Sequence, residues 1–364
     1  MSARRRKIPT IVNANAKGVT KSFLRKINKR YSNRLELYLT ANLEKAREAT
    51  HQIMQEQPYL VIVMGGDGAW YQAINHMQEV LPVDNLQLPI IAKLKAGTGN
   101  SPSKLIGSGK PINDLEKILE RYGGSDLPYR SFPLINVSYY DEEDKVIHSS
   151  YSTFAGSGWD ARVLNDYNNL KGTFSTGLPG YLRAVATKSL PREIKKNPFS
   201  SASIYLNSGD AYRIGEHARN DVERLDLEKI KRIMDTEKIN IAKKIHPINA
   251  VVVGTTPYYG FGFMTFPYSQ FANVGDQRMM HVRVITGKAA WSAIRATLNA
   301  RSVWKGMYRS NILQEFLVQD ITVEYWGGQE EVPSQIAGEA MGVQRKINYK
   351  VSPYDLKLLN FRKL

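Results

Sequence analysis

There is no cysteine among the 364 residues. This absence excludes a disulfide framework, a cysteine-ligated zinc or iron–sulfur centre and a thiol nucleophile. Long apolar runs are missing as well. The longest uncharged stretch, Pro247 to Gly275, is broken by Pro257, Pro267 and four glycines among polar residues, so it cannot cross a bilayer as an unbroken helix. No apolar segment follows the opening Met-Ser-Ala-Arg-Arg-Arg-Lys, and no signal peptide is expected there. Neither G-x-S-x-G nor a P-loop GK[ST] occurs, which leaves hydrolase and P-loop readings without a handle. The six histidines, His51, His76, His148, His217, His246 and His281, are scattered without metal-ligand spacing. Acids are scarce at the start, where eleven Lys or Arg fall between Met1 and Arg34 and the first acidic residue is Glu36.

What is present is a basic chain with ample core material. Fifty Lys and Arg against 34 Asp and Glu give a net charge of +16, and 42% of residues are hydrophobic, which rules out wholesale disorder. The length corresponds to roughly two domains. Such charge favours polyanionic company: nucleic acid, an anionic membrane face or phosphorylated small molecules. Arg4, Arg5, Arg6 and Lys7 read as a solvated arm. From Thr20 to Arg34, Phe23, Leu24, Ile27 and Tyr31 recur at helical spacing among Lys21, Arg25, Lys26, Lys29 and Arg30, predicting a surface helix with a basic outer face.

The first third alternates in type. Strands are expected at Thr10–Ala14, Leu35–Thr40, Tyr59–Met64 and Pro89–Leu94, and helices at Asn42–Gln55, Ala69–Val80 and Ile112–Tyr122. Tyr59–Met64 is apolar without interruption, as a strand buried on both faces requires. The alternation predicts a parallel sheet covered by helices, with ligands bound beyond the carboxyl ends of its strands. After Gly123-Gly124 the pattern becomes strands and turns: Phe132–Tyr140, Ile147–Phe154, Ala202–Leu206, Ala250–Gly254, Met279–Thr286 and Ile321–Tyr325. Two helical insertions are expected, at Leu178–Ser189 and, rich in charge of both signs, at Arg219–Ile245.

Gly65-Gly66-Asp67-Gly68 follows the buried strand and opens a helix. Glycines at such a turn let backbone N–H groups approach phosphate oxygens, and the helix start adds its positive dipole. An acid in the turn can hold Mg²⁺ beside the phosphates. Gly97-Thr98-Gly99-Asn100 occupies the equivalent place after the next strand, and Asn13 to Gly18 ends the first one. Together these turns can clamp one nucleotide. Farther on, Tyr258, Tyr259, Phe261, Phe263, Phe266, Tyr268 and Phe271 crowd one region, read first as β-domain core and second as the lining of an acyl groove.

The ordered set of motifs resembles the diacylglycerol kinase catalytic-domain family, which includes bacterial lipid kinases and the sphingosine and ceramide kinases. Asn13 to Gly18 resembles its opening Asn-Pro-x-x-Gly turn, Gly65 to Gly68 its GGDGT loop, and Gly97 to Asn100 with Leu105 and Gly107 its GTGND segment. Phe154 to Ala161 resembles the family's F-x-x-x-x-G-F-D-A, Tyr258 to Phe263 its Gly-rich run, and Gly338-Glu339 the end of Asp-Gly-Glu. The resemblance implies a doubly wound α/β nucleotide domain over residues 1–128, an antiparallel β-sandwich lipid domain over 129–344, and a tail, 345–364, returning to the first domain.

It further implies an ATP- and Mg²⁺-dependent lipid kinase acting on a hydroxyl of diacylglycerol, a sphingoid base, ceramide or a related lipid. Asn13, Thr40, Gly65, Gly66, Asp67, Gly68, Gly97, Thr98, Gly99 and Asn100 would surround the nucleotide. Asp67, Asp160 and Glu339 would be catalytic, and Asp67, Asp160 and Asp276 would hold metal. The setting implied is cytoplasmic and peripheral on an anionic membrane. A homodimer is compatible with this reading, whereas nucleic-acid binding rests on charge alone. The sequence departs from the family at Ala69, Tyr71, Gln72, Ser101 and Ala337; the last three stand where the family has acids. A catalytically degenerate relative is therefore one rival reading, and an NAD kinase, whose family shares GGDG, is another.

Overall fold

The computed structural model describes residues 7–81, 88–97, 103–123, 126–172, 175–196, 200–214, 242–259, 262–271, 278–287, 295, 298–306, 308, 310, 312–328 and 331–364. In chain order the first elements are β1 (Ile8–Asn13), α1 (Lys21–Tyr31), β2 (Leu35–Thr40), α2 (Leu43–Gln55), β3 (Leu60–Gly65), α3 (Asp67–Val80), β4 (Ile90–Lys95), α4 (Ser103–Ile106) and α5 (Pro111–Arg121). Then come β5 (Tyr129–Tyr140), β6 (Val146–Ser152), β7 (Phe154–Gly158), α6 (Trp159–Asn168), α7 (Gly177–Ala184), a π-helical turn at Val185–Ser189, and α8 (Leu190–Lys196). The remaining strands are β8 (Ser200–Arg213), β9 (Ala242–Gly254), β10 (Met280–Thr286), β11 (Leu313–Gly328), β12 (Val332–Ile336), β13 (Glu339–Gln344) and β14 (Lys346–Leu359). The chain forms two compact units, Met1–Phe132 with Tyr354–Leu364, and Pro133–Pro353.

The first unit is an α/β layer structure whose strands run parallel. β1 pairs with β2 from Ile8↔Leu35 to Asn13↔Thr40, and with β3 on its other side. β3 pairs with β4, and the end of β14 adds a fifth strand through Leu358↔Ile91. All six residues of β3 are buried, the burial expected of a parallel strand covered on both faces. The helices start on side-chain caps. Phe23 N–H donates to Thr20 Oγ1 at 3.1 Å ahead of α1, and Lys45 N–H to Asn42 Oδ1 at 2.9 Å ahead of α2. α1 buries Ile27 and Tyr31 and leaves Lys21, Arg25, Lys26, Lys29 and Arg30 exposed.

The second unit is antiparallel. β7 lies between β12 and β9, β10 between β9 and β11, and β8 pairs with both β9 and β11. Residues 242–245, the end of the expected helical insertion Arg219–Ile245, belong instead to β9, paired from Tyr205↔Ala242 to Ala202↔Ile245. The ladder with β8 overrides the local helical pattern there. The rest of that insertion lies outside the described residues. Among those described, no helix is long and apolar enough to cross a membrane.

Candidate functional site

The first unit gathers its glycine turns at the carboxyl ends of β1, β3 and β4. Gly18 N–H donates to Ala96 O at 2.8 Å, and Ala96 N–H to Gly65 O at 3.3 Å, so the three strand ends are tied by backbone hydrogen bonds. The turns following β3 and β4 touch. A methyl group on Gly97 would stand 2.2 Å from the Gly66 Cα and 2.6 Å from its nitrogen, an approach only glycine permits. One on Gly65 would meet the Ala69 Cβ at 2.8 Å and the Asn13 Cβ at 3.4 Å. The requirement is closeness rather than unusual dihedrals, since Gly66 has φ −83°. Asp67 then opens α3, a helix without a side-chain cap on Gly66.

Beside these turns a pocket of about 190 Å³ is lined by Asn13, Asn15, Thr40, Asn42, Ala69 and Gln72, among others. Thr40 Oγ1 donates to Val12 O at 3.3 Å, and Asn15 Nδ2 to Ala41 O at 2.8 Å, fixing the rim. A whole small-molecule ligand needs about 300–1,000 Å³, so the space takes only part of one, with polar amides to orient it. Asn13, Thr40, Gly65, Gly66, Asp67, Gly68 and Gly97 thus lie at or just after the carboxyl ends of β1 to β4, and of these Asn13 and Thr40 line the pocket. Thr98, Gly99, Asn100 and Ser101 lie outside the described residues, as does Asp276.

Asp67 has a partner that sequence reasoning missed. Lys93, in the middle of β4, forms an ion pair with the Asp67 carboxylate, and its Nζ stands 4.9 Å from the Trp70 ring centroid. The Lys93 side chain is 1% exposed and that of Asp67 12%. Burial pulls the ammonium below its ordinary pKa, against the opposing pull of the Asp67 charge. The available signal was one lysine, Lys93, inside the apolar run Ile90-Ile91-Ala92-Lys93-Leu94.

The second unit collects Asp160 and the Gly338-Glu339 turn around Gln335. Tyr259 donates its hydroxyl to the Asp160 carboxylate, 2.7 Å from either oxygen, and Gln335 Nε2 donates to Asp160 Oδ2 at 3.1 Å. Gln335 Oε1 in turn accepts from the Gly338 N–H at 2.8 Å. Burial pushes the Asp160 carboxyl up to about 6, opposed by the bonds from Tyr259 and Gln335. A methyl on Gly156 would strike Asp160 Oδ2 at 2.6 Å, and Gly158, at φ +91°, leads into α6. Glu339 is exposed at the start of β13, and Ala337 takes a left-handed φ of 57°. Of the aromatic crowd, Phe266 and Tyr268 are buried core.

A parallel α/β unit with close-packed glycine turns, joined to an antiparallel unit, is also the fold of solved bacterial diacylglycerol kinase structures. Residues 7–126 match the family model of the diacylglycerol kinase catalytic domain. A putative diacylglycerol kinase from Bacillus anthracis str. Sterne superposes with a TM-score of 0.60 at 14% identity, covering 100% of both chains. A second structure, a diacylglycerol kinase from the same organism, gives 0.55 at 14% identity over 97% of this chain and 96% of its own. A yeast NADH kinase complexed with NADH is more distant, with 9% identity and a TM-score of 0.47 over 97% of this chain and 83% of that one. Among curated proteins none matches by sequence.

Proposed function

We propose that this protein is a lipid kinase: it takes a phosphoryl group from ATP, held on the glycine turns of the first unit, and transfers it to a lipid hydroxyl. The observation that carries this reading is the backbone contact of Gly66 with Gly97 beside the pocket of Asn13, Thr40 and Gln72. Phosphoryl transfer depends chiefly on positioning and charge neutralisation, and paired turns of main-chain N–H groups supply both. The match of residues 7–126 to the diacylglycerol kinase catalytic domain gives the reaction class. On the second unit, Tyr259 and Gln335 orient the Asp160 carboxylate. The exposed basic face of α1 would hold the protein on anionic lipid.

Of the carboxylates expected to hold Mg²⁺, Asp67 and Asp160 each have side-chain partners, and Asp276 lies outside the described residues. Asp67 is paired with Lys93, Asp160 is engaged by Tyr259 and Gln335, and among the described residues no three His, Asp or Glu gather to hold an ion.

Incubating the full chain with γ-labelled ATP, Mg²⁺ and a mixed lipid extract tests the reading, and label is expected in a lipid. Label in added NAD instead would make it an NAD kinase. Ala337, where the resembling kinases carry an acid, favours a second reading, a nucleotide binder without turnover; that protein would retain ATP and label nothing.

A further inference from the structure

We propose that Lys93 is the resident counter-cation of Asp67, a positioning residue that replaces a divalent ion at the glycine turn, so that Asp67 does not ligate metal in this protein. Three observations carry this. First, the pair is internal: the Lys93 side chain is 1% exposed, and the Asp67 carboxylate is its ion-pair partner. Second, the lysine is fixed from several sides. Its strand is held in register by Val63↔Lys93, its ammonium lies 4.9 Å from the Trp70 ring centroid, and Trp70 sits three residues after Asp67 on the same helix. Third, the direction is chemically complete, because an ammonium can only donate and a carboxylate can only accept. A divalent ion at the same oxygen, Asp67 Oδ1, would face a buried positive charge that cannot leave.

A buried ion pair is weak evidence for stability in itself, but removing one partner leaves an uncompensated charge. Here the pair joins β4 to the first turn of α3, and so sets the separation of the turns that carry Gly66 and Gly97. Any divalent ion that accompanies the nucleotide is then held without Asp67. The inference rests on the nucleotide reading above only for the presence of a nucleotide; the state of Asp67 is testable on its own.

The test uses the full chain and Mn²⁺, followed by water-proton relaxation, with and without the non-hydrolysable analogue AMP-PNP. Asp67→Asn is expected to leave Mn²⁺ affinity within about twofold of the unaltered protein. Lys93→Met, which removes this cation from Asp67, is expected to tighten Mn²⁺ at least about tenfold in the presence of AMP-PNP, and adding Asp67→Asn should abolish that gain. A tenfold loss of Mn²⁺ affinity on Asp67→Asn alone, or a folded Lys93→Met that gains nothing, overturns the proposal. Should Lys93→Met fail to fold, the double variant Lys93→Met/Asp67→Asn is expected to recover folding, since it removes both charges. Failure to recover would overturn the pairing. A protein that binds no AMP-PNP in any variant would instead refute the nucleotide reading, and the Mn²⁺ titrations without analogue would still report on Asp67.

Discussion

At Asp160, burial lifts a carboxyl from its usual 3.8 to about 6, so the folded protein holds that proton more tightly than the unfolded chain. Stability from this group is fully present below the unfolded value and is lost as pH rises through the folded one. Asp160→Asn removes the charge and should flatten this fall, a difference of up to about 3 kcal/mol above the window. Urea unfolding on either side of the window measures it. Ala337 holds a left-handed backbone at φ 57°, which costs a non-glycine residue about 1–2 kcal/mol. Ala337→Asn is expected to raise stability by about 1 kcal/mol, read as a shift in melting temperature. Ala337→Asp fits the same backbone. By restoring the acid of the resembling kinases, it should raise lipid labelling by about 10²-fold or more if general-base help is what is missing.

Among elements, the junction of β3 with α3 and the end of β4 sets the most specific expectation. Gly97→Ala drives a methyl into the Gly66 backbone at 2.2 Å, and should cost about 1–3 kcal/mol and abolish ATP retention. Gly66→Ala meets nothing nearer than 3.6 Å and should leave melting within about 0.5 kcal/mol. Melting curves and filter binding of labelled ATP separate the two. The same junction shows what a sequence discloses. β3 was legible because an apolar run without interruption has few other homes, and the glycine turn after it because context and letters agree. Lys93 was not legible as a partner of Asp67, since a lysine in a strand reads as polar until the fold brings the head of α3 over it. Gln335 belongs to no motif; only the pairing of β12 with β7 places it on Asp160. β12, β13 and β14 escaped the strand reading because Pro333, Pro353 and interspersed charges hide their alternation.

On the scale of the whole molecule, the chain leaves its first unit within β5, between Phe132 and Pro133, and re-enters it within β14, between Pro353 and Tyr354. The returning segment buries Leu356, Leu358, Leu359 and Phe361, each at most 2% exposed. Four such side chains contribute about 6–12 kcal/mol, comparable to the net stability of about 5–15 kcal/mol of an entire domain. Truncation after Pro353 should therefore unfold the first unit, seen as loss of its protected amides in hydrogen exchange. The charge of the molecule gives a second expectation. Binding to vesicles of acidic lipid should weaken sharply as salt rises to about 0.5 M, where screening is short-ranged. Sedimentation that salt leaves unchanged would dismiss the basic face of α1 as the anchor.

The late return of β14 also orders events during synthesis. A ribosome releases β1 to β4 long before Leu358 exists to lie beside Ile91, so the nascent α/β sheet waits with its β4 edge uncovered while the 263 residues from Ala96 to Leu358 emerge. That interval leaves the β4 edge open to strand-capturing neighbours.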